Sequence, residues 1–338
     1  PTMILIMNGV SVLIVWNGAH GISDGQMQVG DMMAFIQYSM QIIMSFLMLS
    51  MLSVILPRAS VSASRIGEIL STDVAIKDSK ETREFDEDKY GEVEFKNVSF
   101  KYPDAEDNVI SNINFVAKPG QTTAFIGSTG SGKSTLINLI PRFFDVTEGE
   151  ILVNGVDIRN INQRKLRDEI GYVPQKAVLF SGTIDSNIRY GAEDSTKEDI
   201  REAASIAQAM EFIESKPDKF ETEISQGGTN VSGGQKQRLS IARALAKKPK
   251  IFIFDDSFSA LDLKTDAKLR KELKSKTKDA TVLIVAQRIS TILHADQIVV
   301  LDEGKVVGIG THDELMKNCE VYKQIALSQL SKEELDNE

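Results

Sequence analysis

Positive charge and cysteine are scarce in this sequence. Its 338 residues carry 39 Lys and Arg against 48 Asp and Glu, a formal net charge of -9, so the broad basic face needed to neutralise a nucleic-acid backbone is lacking. A generic nucleic-acid binder is thereby excluded. The single cysteine, Cys319, rules out an internal disulfide framework and suits a reducing compartment. Internal repeats and low-complexity tracts are also missing. What is present, 42% hydrophobic and 26% charged residues, is the balance of folded protein, in a length that admits two domains.

Charge is missing altogether from Met32 to Leu56, a run of about 25 residues and enough to cross a bilayer as a tilted helix. A span over 31–57 is therefore expected, with helical periodicity carrying it on to about Leu70. The opening stretch "PTMILIMNGVSVLIVW" lacks the basic region and small-residue cleavage site of a secretory signal, and reads as the tail of an interrupted span. The connector "NGAHGISDGQMQVGD" has no Lys or Arg, whereas Arg58 and Arg65 follow the long run. That asymmetry predicts a short outer loop and a cytoplasmic C-terminal side. The lipid bilayer is thus one partner, and residues 1–70 are the end of a multi-pass membrane domain in a cell inner (plasma) membrane.

Residues 71–91 are dense in mixed charge and read as a solvated linker. From Glu92 onward, short apolar runs such as "VEFKNVSFKY", "INFVAK", "TTAFIG", "IGYVPQ", "IFIFDD" and "TVLIVAQ" alternate with helical stretches such as Thr265 to Lys276. The alternation predicts an α/β domain over 92–338, built on a largely parallel sheet. Residues 195–223 are rich in helix formers, within a helical subdomain expected over about 176–245.

Gly127, Ser128, Thr129, Gly130, Ser131, Gly132, Lys133, Ser134 and Thr135 spell "GSTGSGKST" between a strand and a helix, the context that the G-x-x-x-x-G-K-[ST] phosphate loop requires. Glycines let backbone N–H groups turn toward phosphate oxygens. Lys133 is then expected on the β- and γ-phosphates, and the Ser134 hydroxyl on Mg²⁺. The run "IFIF" ends on two carboxylates, and Asp255 is expected near the same Mg²⁺ as a Walker B residue. A nucleotide with Mg²⁺ is the expected ligand pair.

"VSGGQKQRLSIARAL" lies shortly before that strand, and there the domain resembles the ATPase of ABC transporters, whose signature is similar to "VSGGQ". The resemblance extends from Glu92 to about Gln329. It implies that Tyr102 stacks on adenine, that Gln175 is the Q-loop residue and a Mg²⁺ ligand, and that "SALD", ending at Asp262, is the D-loop. It also implies a head-to-tail pair of cassettes. Ser232, Gly233, Gly234 and Gln235 would then act on the partner's ATP. A last span running into the cassette resembles the exporter arrangement of a half-transporter. By that resemblance, further spans in about 250 residues precede Pro1, so the chain reads as a C-terminal fragment.

Two positions depart from the family pattern. Asp256 stands where hydrolysing members have Glu, drawing the carboxylate back by about 1.5 Å when a general base must sit within about 3 Å of its water. Gln287 stands at the switch histidine; its amide can donate to a γ-phosphate but cannot exchange a proton. Together with "QGGTNVSGGQKQR", these residues resemble the degenerate-site half of bacterial heterodimeric multidrug exporters. Asp256, Gln287 and Gln175 are the candidate catalytic residues of a slow or inactive site. The expected partners are a second, unlike half-transporter and a transported small molecule or peptide. A homodimer that binds ATP without turnover remains an alternative, while the fused span disfavours a soluble cassette. The acidic end "SKEELDNE" reads as a solvated tail.

Overall fold

The computed structural model describes residues 2–329, with the side chain of Leu263 set aside; the acidic end lies outside the described residues. The chain divides between Ala75 and Ile76 into two units. The first is a pair of helices, α1 (Thr2–Ser23) and α2 (Val29–Leu70), with mean hydropathy of 1.6 and 2.0 in their most apolar windows, long and apolar enough to cross a membrane. At 1.5 Å per residue α2 is about 63 Å long, roughly twice a bilayer core. Much of it must therefore lie outside the hydrocarbon.

The helix pair corrects two expectations. Instead of ending near Trp16, the first helix continues to Ser23. Asn17 Nδ2 and His20 Nδ1 make bonds of 2.9 and 2.8 Å to the carbonyls of Leu13 and Trp16, which satisfies their polar groups within the helix. The connector shrinks to the few residues around Gly25, whose φ of 69° allows the reversal. The two helices touch at Gly18, where a Cβ would lie 2.7 Å from Met32 Cγ.

In the second unit two sheets form. One is antiparallel, in the order β2-β1-β4-β5, from β1 (Val93–Phe100), β2 (Ile110–Ala117), β4 (Glu148–Val153) and β5 (Val156–Asp157). The other has the order β12-β11-β3-β10-β9-β6. Its strands are β3 (Thr122–Gly127), β6 (Ile170–Val173), β9 (Ile251–Asp255), β10 (Thr281–Val285), β11 (Gln297–Asp302) and β12 (Lys305–Gly310), parallel except at the β11–β12 edge. The largely parallel sheet is thus present. The first two strand runs, however, belong to the separate antiparallel sheet. Burial explains the split: β9 and β10 are buried at every position, as a strand covered on both faces must be, whereas β2 alternates.

The helices complete two cores. Leu136, Ile137 and Leu139 of α3 (Lys133–Leu139) join Phe95, Phe125 and Leu283 between the sheets. A second core lies on the other side of the parallel sheet, under α8 (Gly233–Ala246), α9 (Leu263–Lys276), α10 (His312–Asn318) and α11 (Glu320–Gln329). Short helices α4 (Gln163–Asp168), α5 (Ile184–Arg189), α6 (Lys197–Ile206) and α7 (Met210–Glu214) lie in the chain between β5 and α8, the last three together with the small ribbon β7 (Gly182–Thr183) and β8 (Glu223–Ile224).

The charged segment read as a solvated linker is instead held along the cassette from Ile76 onward. Asp78 accepts from Asn162 Nδ2 at 2.7 Å, Arg83 N donates to the Asn160 carbonyl at 2.7 Å, and Asp86 N to that of Asn154 at 3.0 Å. Arg142, 4% exposed, donates to the Lys77 carbonyl at 3.2 Å and pairs with Asp145 at 2.7 Å. Composition could not reveal this because the partners lie far along the chain. Replacing Arg142 with Met is expected to destabilise the cassette by about 1–3 kcal/mol, since the Lys77 carbonyl and the Asp145 carboxylate lose a donor that is itself buried. A lower urea midpoint at unchanged slope is the measurement.

Candidate functional site

The strand register brings the site together. Val285 of β10 lies level with Asp255 of β9 on one side and Phe125 of β3 on the other, and Val173 of β6 lies level with Phe254. Two residues beyond Val173, Phe254 and Val285 come Gln175, Asp256 and Gln287, which therefore leave the sheet at one edge, beside the loop that follows β3. Ligand sites of open α/β sheets form at this carboxyl edge. A cavity of about 470 Å³ opens there, lined by Ser128, Lys133, Asp255, Gln175 and Gln287 among others.

The loop turns back on itself where only glycine fits. A Cβ on Gly127 would lie 2.0 Å from the Leu301 carbonyl oxygen, and Gly132, at φ 93°, would press 2.6 Å against Ile110. Lys133 Nζ donates to the carbonyls of Gly127 and Ser128 at 2.8 and 2.7 Å, and to Ser131 Oγ at 3.3 Å. Burial pushes the ammonium below its ordinary pKa, against the pull of Asp256 and Asp255. Phosphate oxygens would offer that cation a better partner than neutral carbonyls.

Ser134 Oγ donates to Asp255 Oδ1 at 3.0 Å. Burial holds the Asp255 carboxyl above its ordinary pKa; the Ser134 hydrogen bond opposes the shift, Asp256 adds to it, and Lys133 opposes it. A divalent cation on these oxygens would relieve the desolvation. A hydroxyl, one carboxylate and an amide oxygen suit Mg²⁺, which keeps waters and takes the rest of its shell from substrate phosphates. Among the described residues no cluster of three His, Cys, Asp or Glu could hold a metal without such a substrate.

Asp256 occupies a left-handed backbone conformation, φ 45°, with its N–H bonded to the Val285 carbonyl at 3.0 Å. Its Oδ2 accepts from Gln287 Nε2 at 2.6 Å and from Gln175 Nε2 at 3.1 Å. The three candidate catalytic side chains thus form one hydrogen-bonded group.

Two predicted sets lie outside this cavity. Tyr102 packs edge-on against Phe100 and Phe144, with ring centroids 5.0 and 5.2 Å away, and its hydroxyl lies 3.0 Å from Thr135 Oγ1. It is anchored to the loop but does not line the cavity. Ser232 caps α8: its N–H donates to Gln235 Oε1 at 3.0 Å, and its Oγ accepts from the Gln235 N–H at 3.3 Å. Gly233 has nothing within 4 Å of where its Cβ would be, and Gly234 approaches the Ala260 carbonyl at 3.3 Å. The signature is therefore a separate, open turn.

A family model described as "ABC transporter" matches residues 110–259, from the start of β2 to just past the Asp255–Asp256 pair. An uncharacterized ABC transporter ATP-binding protein of Mycobacterium tuberculosis is 46% identical over 332 residues, 97% of this chain and 57% of that protein. The chain belongs to the ABC transporter family. YgaD of Bacillus subtilis, named as a putative multidrug export ATP-binding/permease protein, is 40% identical over 93% of this chain and 54% of its own length. The solved structure of a bacterial Atm1-family ABC exporter with ATP bound matches with a TM-score of 0.82 and 31% identity, over 98% of this chain and 58% of the other. This ABC transporter chain thus spans little more than half the length of these relatives.

Sequence reasoning missed one wall of this cavity. Ile325, Ser328 and Gln329 of α11 line the same cavity. Their helical spacing was visible, but nothing in "VYKQIALSQL" signals which strand edge the helix lies against.

Proposed function

We propose that this chain is the ATP-binding half of an exporter in a bacterial inner membrane, paired with an unlike half, and that its own phosphate site is the degenerate one. The observation that carries the reading is the state of Asp256. A general base must present an open acceptor to water. Here Oδ2 already takes the Gln287 and Gln175 amides at 2.6 and 3.1 Å, which turns the carboxylate toward the two glutamines and leaves Oδ1 alone to meet a water. A carboxylate one methylene shorter than glutamate has little reach to recover.

On ATP binding, Lys133 exchanges its carbonyl partners for phosphate oxygens, and the loop N–H groups receive the rest of the charge. Ser134 and Asp255, with the Gln175 amide oxygen, would hold Mg²⁺, which neutralises charge on the β- and γ-phosphates. Gln287 can donate its amide to the γ-phosphate but supplies no exchangeable proton. The signature turn, Ser232 to Gln235, lines no part of this chain's own cavity and serves the partner's ATP. Hydrolysis at that shared site, completed by the partner's carboxylate, drives the spans between inward- and outward-facing states and moves a small molecule or peptide. The names of YgaD and of the Atm1-family structure, which speak of export, support the exporter part of this reading.

The chain alone in nanodiscs is expected to bind Mg-ATP and turn it over slowly. In the Asp256→Glu/Gln287→His double variant, phosphate release should rise by about 10- to 100-fold as a base and a protonatable switch return. Brisk hydrolysis by the unaltered chain alone defeats the proposal.

A further inference from the structure

The last described turn of the chain reaches back to the nucleotide site. Gln329, ending α11, donates from Nε2 to the Gln287 carbonyl at 2.9 Å and accepts at Oε1 from the Ile289 N–H at 2.9 Å. These two backbone groups flank Arg288, whose φ and ψ of -109° and 130° are extended. In extended backbone the carbonyl before a residue and the N–H after it point the same way, so one side-chain amide satisfies both, as a neighbouring strand would. The Gln287 side chain meanwhile reaches Asp256. Ile325 and Ser328 of the same helix line the cavity beside Ser128 and Thr129.

We propose that Gln329 is a positioning residue for the nucleotide site. It holds the Gln287–Ile289 backbone still, so that the Gln287 amide passes between Asp256 Oδ2 and the terminal phosphate by side-chain rotation alone. Without the clamp, this segment must be ordered each time a γ-phosphate binds, and ordering backbone opposes binding. ADP, which has no γ-phosphate, makes no such demand. The inference rests on the reading of the cavity as an ATP site.

Calorimetric titration of the full chain in nanodiscs with Mg-ATP and Mg-ADP tests it. Gln329→Ala should weaken ATP by about three- to tenfold more than ADP, the scale of one or two lost hydrogen bonds. Gln287→Ala should act in the same direction, and adding Gln329→Ala to it should cost nothing more, because the clamp works only through Gln287. Gln329→Met, which keeps the length of the side chain but neither its donor nor its acceptor, should weaken ATP as Gln329→Ala does, and an unchanged thermal midpoint in the two variants guards against misfolding. An unchanged ATP-to-ADP ratio in Gln329→Ala overturns the proposal, as does equal weakening of both nucleotides or full additivity with Gln287→Ala. An unaltered chain that binds no ATP at all overturns this proposal and the parent reading together, and is told apart by the absence of any binding.

Discussion

Removing the catalytic carboxylate of the partner half is expected to cut ATP turnover of the assembled pair by about 10²- to 10⁴-fold, the usual effect of losing a general base, whereas Asp256→Ala in this chain leaves most of it. The contrast follows from the hydrogen bonds. In a working site the base reaches the water; here Asp256 Oδ2 is held by Gln287 at 2.6 Å and Gln175 at 3.1 Å on a side chain one methylene short of glutamate, so removing it mainly takes away an acceptor for two amides. Steady-state phosphate release from the co-purified pair, measured for each single variant, decides the matter. The opposite pattern, with turnover falling after Asp256→Ala and surviving in the partner's variant, defeats the degenerate-site reading. A pair in which both variants matter equally would have two working sites. If the chain assembles only with itself and never turns over, the non-hydrolysing homodimer takes its place.

Local chemistry makes the phosphate loop legible from the residues alone. Its glycines, Lys133 and Ser134 are contiguous, and strand and helix periodicities flank them. Asp255 is legible for the same reason, as the polar end of a run buried at every position. The α/β class follows from the alternation of such runs. What a linear reading lacks is strand order. Gln175 and Gln287 lie 81 and 31 residues from Asp256 in sequence, and only the neighbouring of β6, β9 and β10 puts all three side chains at one edge of the sheet. The Gln329 clamp is harder still, because its two targets are backbone groups 40 and 42 residues away. Backbone partners leave no residue-type signature. The same blindness turns a hydrogen-bonded strap, Ile76 to Asp86, into an apparent solvated linker: Asp78 and Arg83 look like any surface charges until β5 and α4 bring Asn160 and Asn162 alongside.

Gly233→Asp should lower turnover of the assembled pair by about 10²- to 10³-fold, the scale of losing a preorganised donor at a phosphate, without weakening ATP binding at this chain's own loop. Structure and electrostatics both favour this substitution as the probe. Gly233 sits in open space, so a Cβ there meets nothing within 4 Å. Its φ is not in the left-handed region, and the Ser232–Gln235 cap that starts α8 does not use its side chain. A carboxylate in the first turn of a helix is even mildly stabilising, so the variant should fold. In the proposed paired arrangement, though, that turn would face the partner's phosphates, where an added negative charge would repel the anion it should receive. Nucleotide affinity of the isolated chain, turnover of the pair and thermal stability, read side by side, separate the possibilities. Normal turnover in a folded Gly233→Asp pair would mean that the signature turn does not meet a partner's nucleotide. Lost affinity in the isolated chain would mean that it serves the chain's own phosphate after all.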